Sequence, residues 1–223
     1  MVRTVAIVPA AGAGKRLGLK TKKPFVMLKG KPLVYYVLKA LNDSPEVGGI
    51  VIASDKGAIS TFKKLANKYR FHKVIRIVVG GRTRTESVRN SLKAVAGGCD
   101  IILIHDGARP CLDEPLIRKS ILFARKYGGC IAAAPMHDTV KVAGKGLFIE
   151  KTLDRRNLFR AQTPQAFRFS LIKRAYARRP PVGITDDASL VERLGGRVKI
   201  LAGGSGNIKV TTRQDLKIAE ALL

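Results

Sequence analysis

The sequence predicts a doubly wound α/β domain with a mostly parallel sheet, helices on both faces and an inserted β-hairpin. Three observations carry that expectation. Short apolar runs alternate with longer stretches of helical periodicity. The first apolar run opens into a glycine-rich loop. The alternation breaks once, at residues 139–153, where two strand-like runs flank Gly144-Lys145-Gly146.

The elements follow in order. Val5–Pro9 is short and apolar, as a buried strand requires. Leu33–Leu41 has helical spacing and is entered through Pro32, whose fixed φ suits a helix start. Ile50–Ala53 is a second strand, Ile59–Tyr69 a helix, Val74–Val79 a third strand and Glu86–Val95 a helix. Ile101–Ile104 is wholly apolar and ends at His105-Asp106. Pro115–Tyr127 reads as a helix with Asp113 as candidate N-cap. Cys130–Ala134 is another strand. After the hairpin come helices at Leu171–Arg178 and Ala188–Leu194, a strand at Val198–Leu201 and a last helix at Gln214–Leu223. A lone hairpin is marginal in water. Its apolar residues therefore need a surface, on this domain or on another subunit.

Composition bounds the function. The 223 residues suit one domain (1–223), with residues 139–158 as an inserted arm. No apolar run approaches the roughly 20 residues of a membrane span. The chain runs from Met1 straight into a strand-like segment with no secretory signal pattern, so a cytoplasmic protein is expected. The three cysteines, Cys99, Cys111 and Cys130, form no C-x-x-C pair and no zinc-like spacing with the histidines, and are read as reduced structural thiols. The net charge of +26 points to polyanionic partners: nucleotides, phosphorylated metabolites or nucleic acid. The basic residues are scattered and lack interleaved aromatics. They predict salt-dependent, non-specific nucleic-acid binding at most.

The loop Pro9-Ala10-Ala11-Gly12-Ala13-Gly14-Lys15-Arg16-Leu17-Gly18 is built to bring backbone close to phosphate oxygens. It is not a Walker loop, because Arg16 stands where Ser or Thr must follow the lysine. It is not a dinucleotide fingerprint, because Gly18 falls one residue late and no carboxylate follows at the ribose distance. A tight turn without a ligand remains the plain alternative for the loop alone.

The loop has company. "VPAAGAGKRLG", "KKPF", "GGRTRTESVRNSL", "HDGARP", "DTVK", "LDRRNLFRAQTPQAF", "TDDASLVE" and "NIKVTT" occur in that order. As an ordered set they resemble the family of 2-C-methyl-D-erythritol 4-phosphate cytidylyltransferases over nearly the whole chain. The resemblance implies a Rossmann-like nucleotidyltransferase fold with a projecting β-arm, and a homodimer formed through that arm. It implies joining of CTP to a polyol phosphate, release of pyrophosphate, and Mg²⁺ or another divalent cation as cofactor. It assigns Pro9, Ala10, Ala11, Gly12 and Gly14 to the nucleotide, and Arg16 and Lys23 to the charge on the triphosphate. It assigns Gly81, Arg84 and Ser87 to the cytosine, and Asp106 to the ribose and the metal-bound phosphates. Arg109, Thr139, Arg155, Thr163 and Lys209 hold the acceptor's phosphate, with Arg155 crossing to the other subunit. Arg16, Lys23, Arg155 and Lys209 form the catalytic set.

Three positions depart from the usual pattern. Lys22-Lys23-Pro24-Phe25 stands where Pro-Lys-Gln-aromatic is common, and alignment on Phe25 selects Lys23. Gly107 replaces a common alanine, and Gly206 an acidic residue found in some members.

The residue types suit the chemistry. A phosphomonoester oxygen is already anionic near neutral pH, so attack on the α-phosphorus needs no serine, cysteine or general base. It needs in-line positioning and neutralised charge. A Mg²⁺ ion held mostly by nucleotide and water needs only one carboxylate. Carbonyls near Gly80–Gly81 can take the cytosine amino group, and the Ser87 hydroxyl and a backbone N–H can serve its acceptors. Without the motif, Ser87 reads as a helix N-terminal residue and Arg84 as a surface cation. His105 reads as a packed histidine, His72 and His137 as surface residues, and Asp186-Asp187 as a helix cap with Asp186 a minor candidate for the site. Three alternatives stand beside the enzyme: another acceptor such as ribitol 5-phosphate, a nucleic-acid-binding protein, and an inactive relative.

Overall fold

The computed structural model describes residues 3–12, 14, 18, 21–95, 97–177 and 183–223. The chain runs β1 (Thr4–Pro9), β2 (Met27–Leu28), β3 (Lys31–Pro32), α1 (Leu33–Asp43), β4 (Gly49–Ser54), α2 (Ile59–Lys68), β5 (Val74–Val79), α3 (Arg84–Ala94) and β6 (Ile101–Ile104). It continues through α4 (Glu114–Tyr127), β7 (Gly129–Pro135), β8 (Val140–Ala143), β9 (Ile149–Leu153), β10 (Phe159–Arg168), α5 (Phe169–Ala175), α6 (Ala188–Glu192), β11 (Lys199–Ala202) and α7 (Arg213–Leu222).

Seven strands form one sheet in the order β11-β7-β10-β6-β1-β4-β5. All neighbours are parallel except β10, which runs antiparallel to both β6 and β7. The period of two in β1 splits the core. Ala6 and Val8 face one side, with Val37 and Leu41 of α1, Phe62 of α2 and Ile117 and Ile121 of α4. Val5 and Ile7 face the other, with Val88 of α3, Ile172 of α5 and Val191 of α6. Each fully buried Leu, Ile, Val or Phe contributes about 1.5–3 kcal/mol, so the sheet sandwiched between helices is where the stability lies.

Local chemistry sets the helix ends. Asp113 Oδ1 accepts from Leu116 N at 2.9 Å and starts α4 as expected, and Gly128, at φ +88°, ends it. α3 begins at Arg84, two residues before the expected Glu86, because Thr83 caps it by accepting from Glu86 N at 3.1 Å. α7 has a capping box between Thr212 and Asp215. The helix expected at Leu171–Arg178 starts earlier, at Phe169, and α5 ends at Ala175; Arg178 lies outside the described residues.

One strand, β10, carries no strand signal in its sequence: Arg160, Gln162, Thr163, Pro164 and Gln165 give no apolar pattern, and proline is disfavoured in an interior strand. The structure places it in the interior of the sheet, between β7 and β6. Its pairing with β7 shifts register between Ala161 and Gln165, where a bulge accommodates Pro164. The hairpin forms as read: β8 and β9 pair antiparallel in a sheet of their own. No helix among the described residues is long and apolar enough to cross a membrane.

Candidate active site

The strand order reverses between β1 and β6. β4 and β5 are added on one side of β1, and the chain then returns to place β6 on the other. In an open α/β sheet such a switch point leaves a crevice at the carboxyl ends of the strands. The loops after β1 and β6 meet there. His105 N donates to Ile7 O at 2.9 Å, and Gly107 N to Pro9 O at 3.2 Å. The resulting cleft is lined by Pro9, Ala10, Ala11 and Gly12 from the first loop and by Asp106 from the second. Lys23, Gly81, Arg84, Ser87 and Lys209 complete its wall.

Lys22 and Lys23 are separated by their partners. Lys22 Nζ lies 2.5 Å from Asp55 Oδ1, outside the cleft, whereas Lys23 lines it. Phe25 packs on Phe62 with ring centroids 4.9 Å apart and anchors this short segment. Gly14 has φ +71°, and a Cβ there would fall 2.7 Å from Lys23 Cβ. Only glycine lets the first loop approach Lys23 so closely. Arg16 lies outside the described residues.

The second glycine turn is held by Ser87. Gly81 N donates to Ser87 Oγ at 3.0 Å, and Ser87 Oγ donates to Thr83 O at 3.0 Å. The hydroxyl proton is thereby engaged, so in this geometry Ser87 shapes the turn and has only acceptor capacity left for a ligand. A Cβ on Gly81 would lie 2.2 Å from Glu86 Cβ, and one on Gly80 would lie 2.7 Å from Ala11 Cβ.

Asp106 is the electrostatic centre. Arg84 Nε reaches its Oδ1 at 2.7 Å and Lys209 Nζ its Oδ2 at 2.7 Å. Burial pushes the carboxyl up, but the two cations outweigh it and hold Asp106 well below the usual carboxylate range. Lys209 is delivered by backbone pairing, since its neighbour Val210 donates to Ala108 O at 2.8 Å.

A second cleft shares Arg84, Asp106 and Lys209 and adds Arg109 and Thr163. Here His105 is the keystone. It is fully buried, and its Nε2 lies 3.0 Å from Arg109 O, which can only accept. The proton is therefore on Nε2, and Nδ1 accepts from Thr163 Oγ1 at 3.2 Å. Thr163 Oγ1 in turn accepts from Asp106 N at 3.0 Å. Burial holds His105 neutral, at a pKa of about 4. Asn207, unremarked in the sequence, ties the same wall together: Arg109 Nη1 donates to its carbonyl at 2.6 Å and its amide donates to Thr163 O at 2.7 Å. Arg109 Nε and Arg84 Nη1 are buried donors without a partner among the described residues.

Thr139 and Arg155 are exposed, and neither lines the two clefts. Arg155 Nη1 donates to His137 O at the base of the arm. The histidine and cysteine readings hold otherwise. His72 and His137 are exposed, Cys99 and Cys130 are buried, and burial raises the Cys130 thiol to about 12. Asp186 caps α6 by accepting from Ser189 N at 3.2 Å. Asp187, expected to share that task, makes no cap bond and bonds Arg84 instead.

A divalent cation has little protein to bind. No group of three or more His, Cys, Asp or Glu able to hold a metal occurs among the described residues. Asp106 has about two of its four lone-pair positions left after Arg84 and Lys209. These residues fit a cation that arrives on a triphosphate and takes at most one protein ligand.

The family model for 2-C-methyl-D-erythritol 4-phosphate cytidylyltransferase matches residues 4–223. The chain belongs to this family. The cytidylyltransferase of Geobacillus thermodenitrificans is 45% identical over 220 residues, covering 98% of this chain and 96% of that protein. That of Alkaliphilus oremlandii is 41% identical over 224 residues, covering 99% and 95%. Among solved structures, 4-diphosphocytidyl-2C-methyl-D-erythritol synthase of Anaerococcus prevotii superposes with a TM-score of 0.85 at 31% identity, covering 99% of this chain and 97% of the other. The cytidylyltransferase of Thermus thermophilus gives 0.80 at 30% identity, covering 100% and 98%.

Proposed function

We infer that the protein transfers the cytidylyl group of CTP to 2-C-methyl-D-erythritol 4-phosphate, giving CDP-methylerythritol and pyrophosphate in non-mevalonate isoprenoid precursor synthesis. The match over residues 4–223 carries this reading. The geometry supports it, because two clefts that share Arg84, Asp106 and Lys209 suit two phosphorylated substrates meeting at one line of charge.

The reaction is an in-line displacement. An acceptor phosphate oxygen forms a bond to the α-phosphorus as the bond from that phosphorus to the bridging oxygen breaks, and pyrophosphate leaves with the electron pair. In the proposed roles, the backbone of Ala10–Gly12 and Gly14 cradles the triphosphate, and Lys23 and Arg16 balance its charge. The Gly80–Gly81 turn, held by Ser87, receives the cytosine. Thr163, Arg109 and Lys209 receive the acceptor phosphate. Asp106 keeps Lys209 and Arg84 aimed between the two. Mg²⁺, when bound, neutralises phosphate charge and leaves the protein to position and screen.

We further propose a homodimer in which Arg155 and Thr139 serve the partner's acceptor cleft. The arm supports this. Leu147, Phe148 and Ile149 are 86%, 79% and 64% exposed at its tip, an apolar surface with nothing from its own domain over it. No specific nucleic-acid partner is proposed.

The test is pyrophosphate release with each NTP crossed against methylerythritol phosphate and ribitol 5-phosphate. Turnover confined to CTP with methylerythritol phosphate is expected. Equal use of UTP would remove the base assignment, and a preference for ribitol 5-phosphate the acceptor.

A further inference from the structure

Behind the clefts lies a carboxylate that no solvent reaches. Asp187, the residue before α6, is fully buried. Its Oδ2 accepts from Arg84 Nη2 at 2.8 Å and its Oδ1 from Tyr176 OH at 2.5 Å. Its backbone N–H and that of Ala188 both donate to Gln165 Oε1, at 3.0 and 3.2 Å. Gln165 Nε2 in turn donates to Gln162 O at 3.2 Å and Asp186 Oδ2 at 3.1 Å. The carboxylate is thus held from the side chain and the backbone at once.

A charge taken out of water is expensive even when paired. Starting α6 does not require it, since Asp186 already supplies the cap and Asp187 makes none. Its side chain is spent on Arg84 and Tyr176. Arg84 spans two carboxylates on different elements, Asp187 through Nη2 and Asp106 through Nε. A guanidinium is planar, so fixing two of its nitrogens fixes the direction of the third, the buried Nη1 that faces no partner among the described residues.

We propose that Asp187 is a positioning residue for cytidylyl transfer, acting through Arg84 and, beyond it, through Asp106 on Lys209. The proposal rests on the reaction inferred above. Arginine and a carboxylate prefer two parallel bonds. Freed from Asp187, Arg84 would turn onto both oxygens of Asp106 and displace Lys209 from Oδ2, where it now sits at 2.7 Å. One substitution in the core would then move two cations at the clefts.

A double-mutant cycle on kcat/KM for CTP tests this, with single-turnover measurement using labelled CTP so that residual rates are read. Asp187→Asn keeps the shape and loses the charge. It is expected to lower kcat/KM by about 100-fold, the scale of a misplacement of about 1 Å in a site. In an Arg84→Met background the same substitution should change the rate less than about 3-fold, because residues acting as a unit do not add. Tyr176→Phe keeps the ring in the core and removes one bond to Asp187. It should cost about 5- to 10-fold in the native background and nothing measurable beside Arg84→Met, and it decides the matter alone if Asp187→Asn fails to fold. Equal losses in both backgrounds would mean a merely structural role and overturn the proposal. Wild-type protein without turnover of CTP and methylerythritol phosphate would instead overturn the functional reading, and this inference with it.

Discussion

Acidification should unload His105 in a way that can be worked from its environment. The ring is buried with both nitrogens engaged, Nε2 on the Arg109 carbonyl and Nδ1 on the Thr163 hydroxyl. Burial lowers its pKa from 6.5 to about 4. A group held neutral in the fold and free to protonate when unfolded makes the unfolded chain the better proton binder. Stability therefore rises with pH across that window. It is fully present above 6.5 and is lost as pH falls toward about 4. One pKa unit corresponds to about 1.4 kcal/mol, so between about pH 7.5 and about pH 4.5 the loss through this residue is about 2.5 kcal/mol. The perturbation is His105→Gln, which does not titrate. Urea denaturation of both proteins at the two pH values isolates the term, because the carboxylates titrate alike in each and cancel in the difference. The native protein should lose about 2.5 kcal/mol more than the variant. Equal losses would mean that His105 is not held neutral, and the bond order from Asp106 through Thr163 would have to be redrawn.

Two further outcomes are expected. Lys23→Ala should lower kcat by about 10²–10³ with little change in thermal midpoint, as for loss of one contact made mainly in the transition state, while Lys22→Ala, which removes only an exposed pair with Asp55, should leave kcat near wild type; the reverse pattern in steady-state assays would mean that the wrong lysine has been placed in the cleft. Mixing inactive Arg155→Ala chains with inactive Lys23→Ala chains should restore activity once subunits exchange, since one site of each mixed dimer then carries neither defect; activity that stays lost would place Arg155 in its own subunit's site.

Most of the sheet was legible because its strands are short, mainly apolar runs, including the half-exposed edge strand Val74–Val79, which Arg76 interrupts. Ile101–Ile104 and Val74–Val79 were read with the bounds that the structure gives. β10 carries no such run because several of its buried residues are polar and hydrogen-bonded. Gln162, Thr163 and Gln165 are buried, yet they pair with Asn207, Asp106, His105 and Asp187 rather than with apolar neighbours. No periodicity of hydrophobic residues can reveal a strand whose inward face is a hydrogen-bond network. α3 begins at Arg84 because Thr83 caps it, a start that Thr-x-x-Glu signals in the sequence. In the site, the glycine-rich loop is legible as chemistry, and Asp106 through the motif resemblance. Asp187 and Asn207 were not, because a buried aspartate and a surface one look alike until a partner such as Arg84, 103 residues away in sequence, is brought to it. The adjacent Lys22 and Lys23 differ in sequence by nothing but register, and Asp55 is what tells them apart.

The way the arm joins the sheet has a consequence for how such a protein can change. Pro135 and Phe159 are paired neighbours on β7 and β10, and Met136 N donates to Leu158 O at 2.9 Å just beyond them. The twenty-odd intervening residues leave and return through one hydrogen-bonded gate. The β8–β9 hairpin shares no strand pairing with the seven-stranded sheet. Evolution can therefore lengthen, shorten or reshape the hairpin while the cleft at the β1–β6 switch point keeps its geometry. The hairpin and the seven-stranded sheet are free to drift at different speeds.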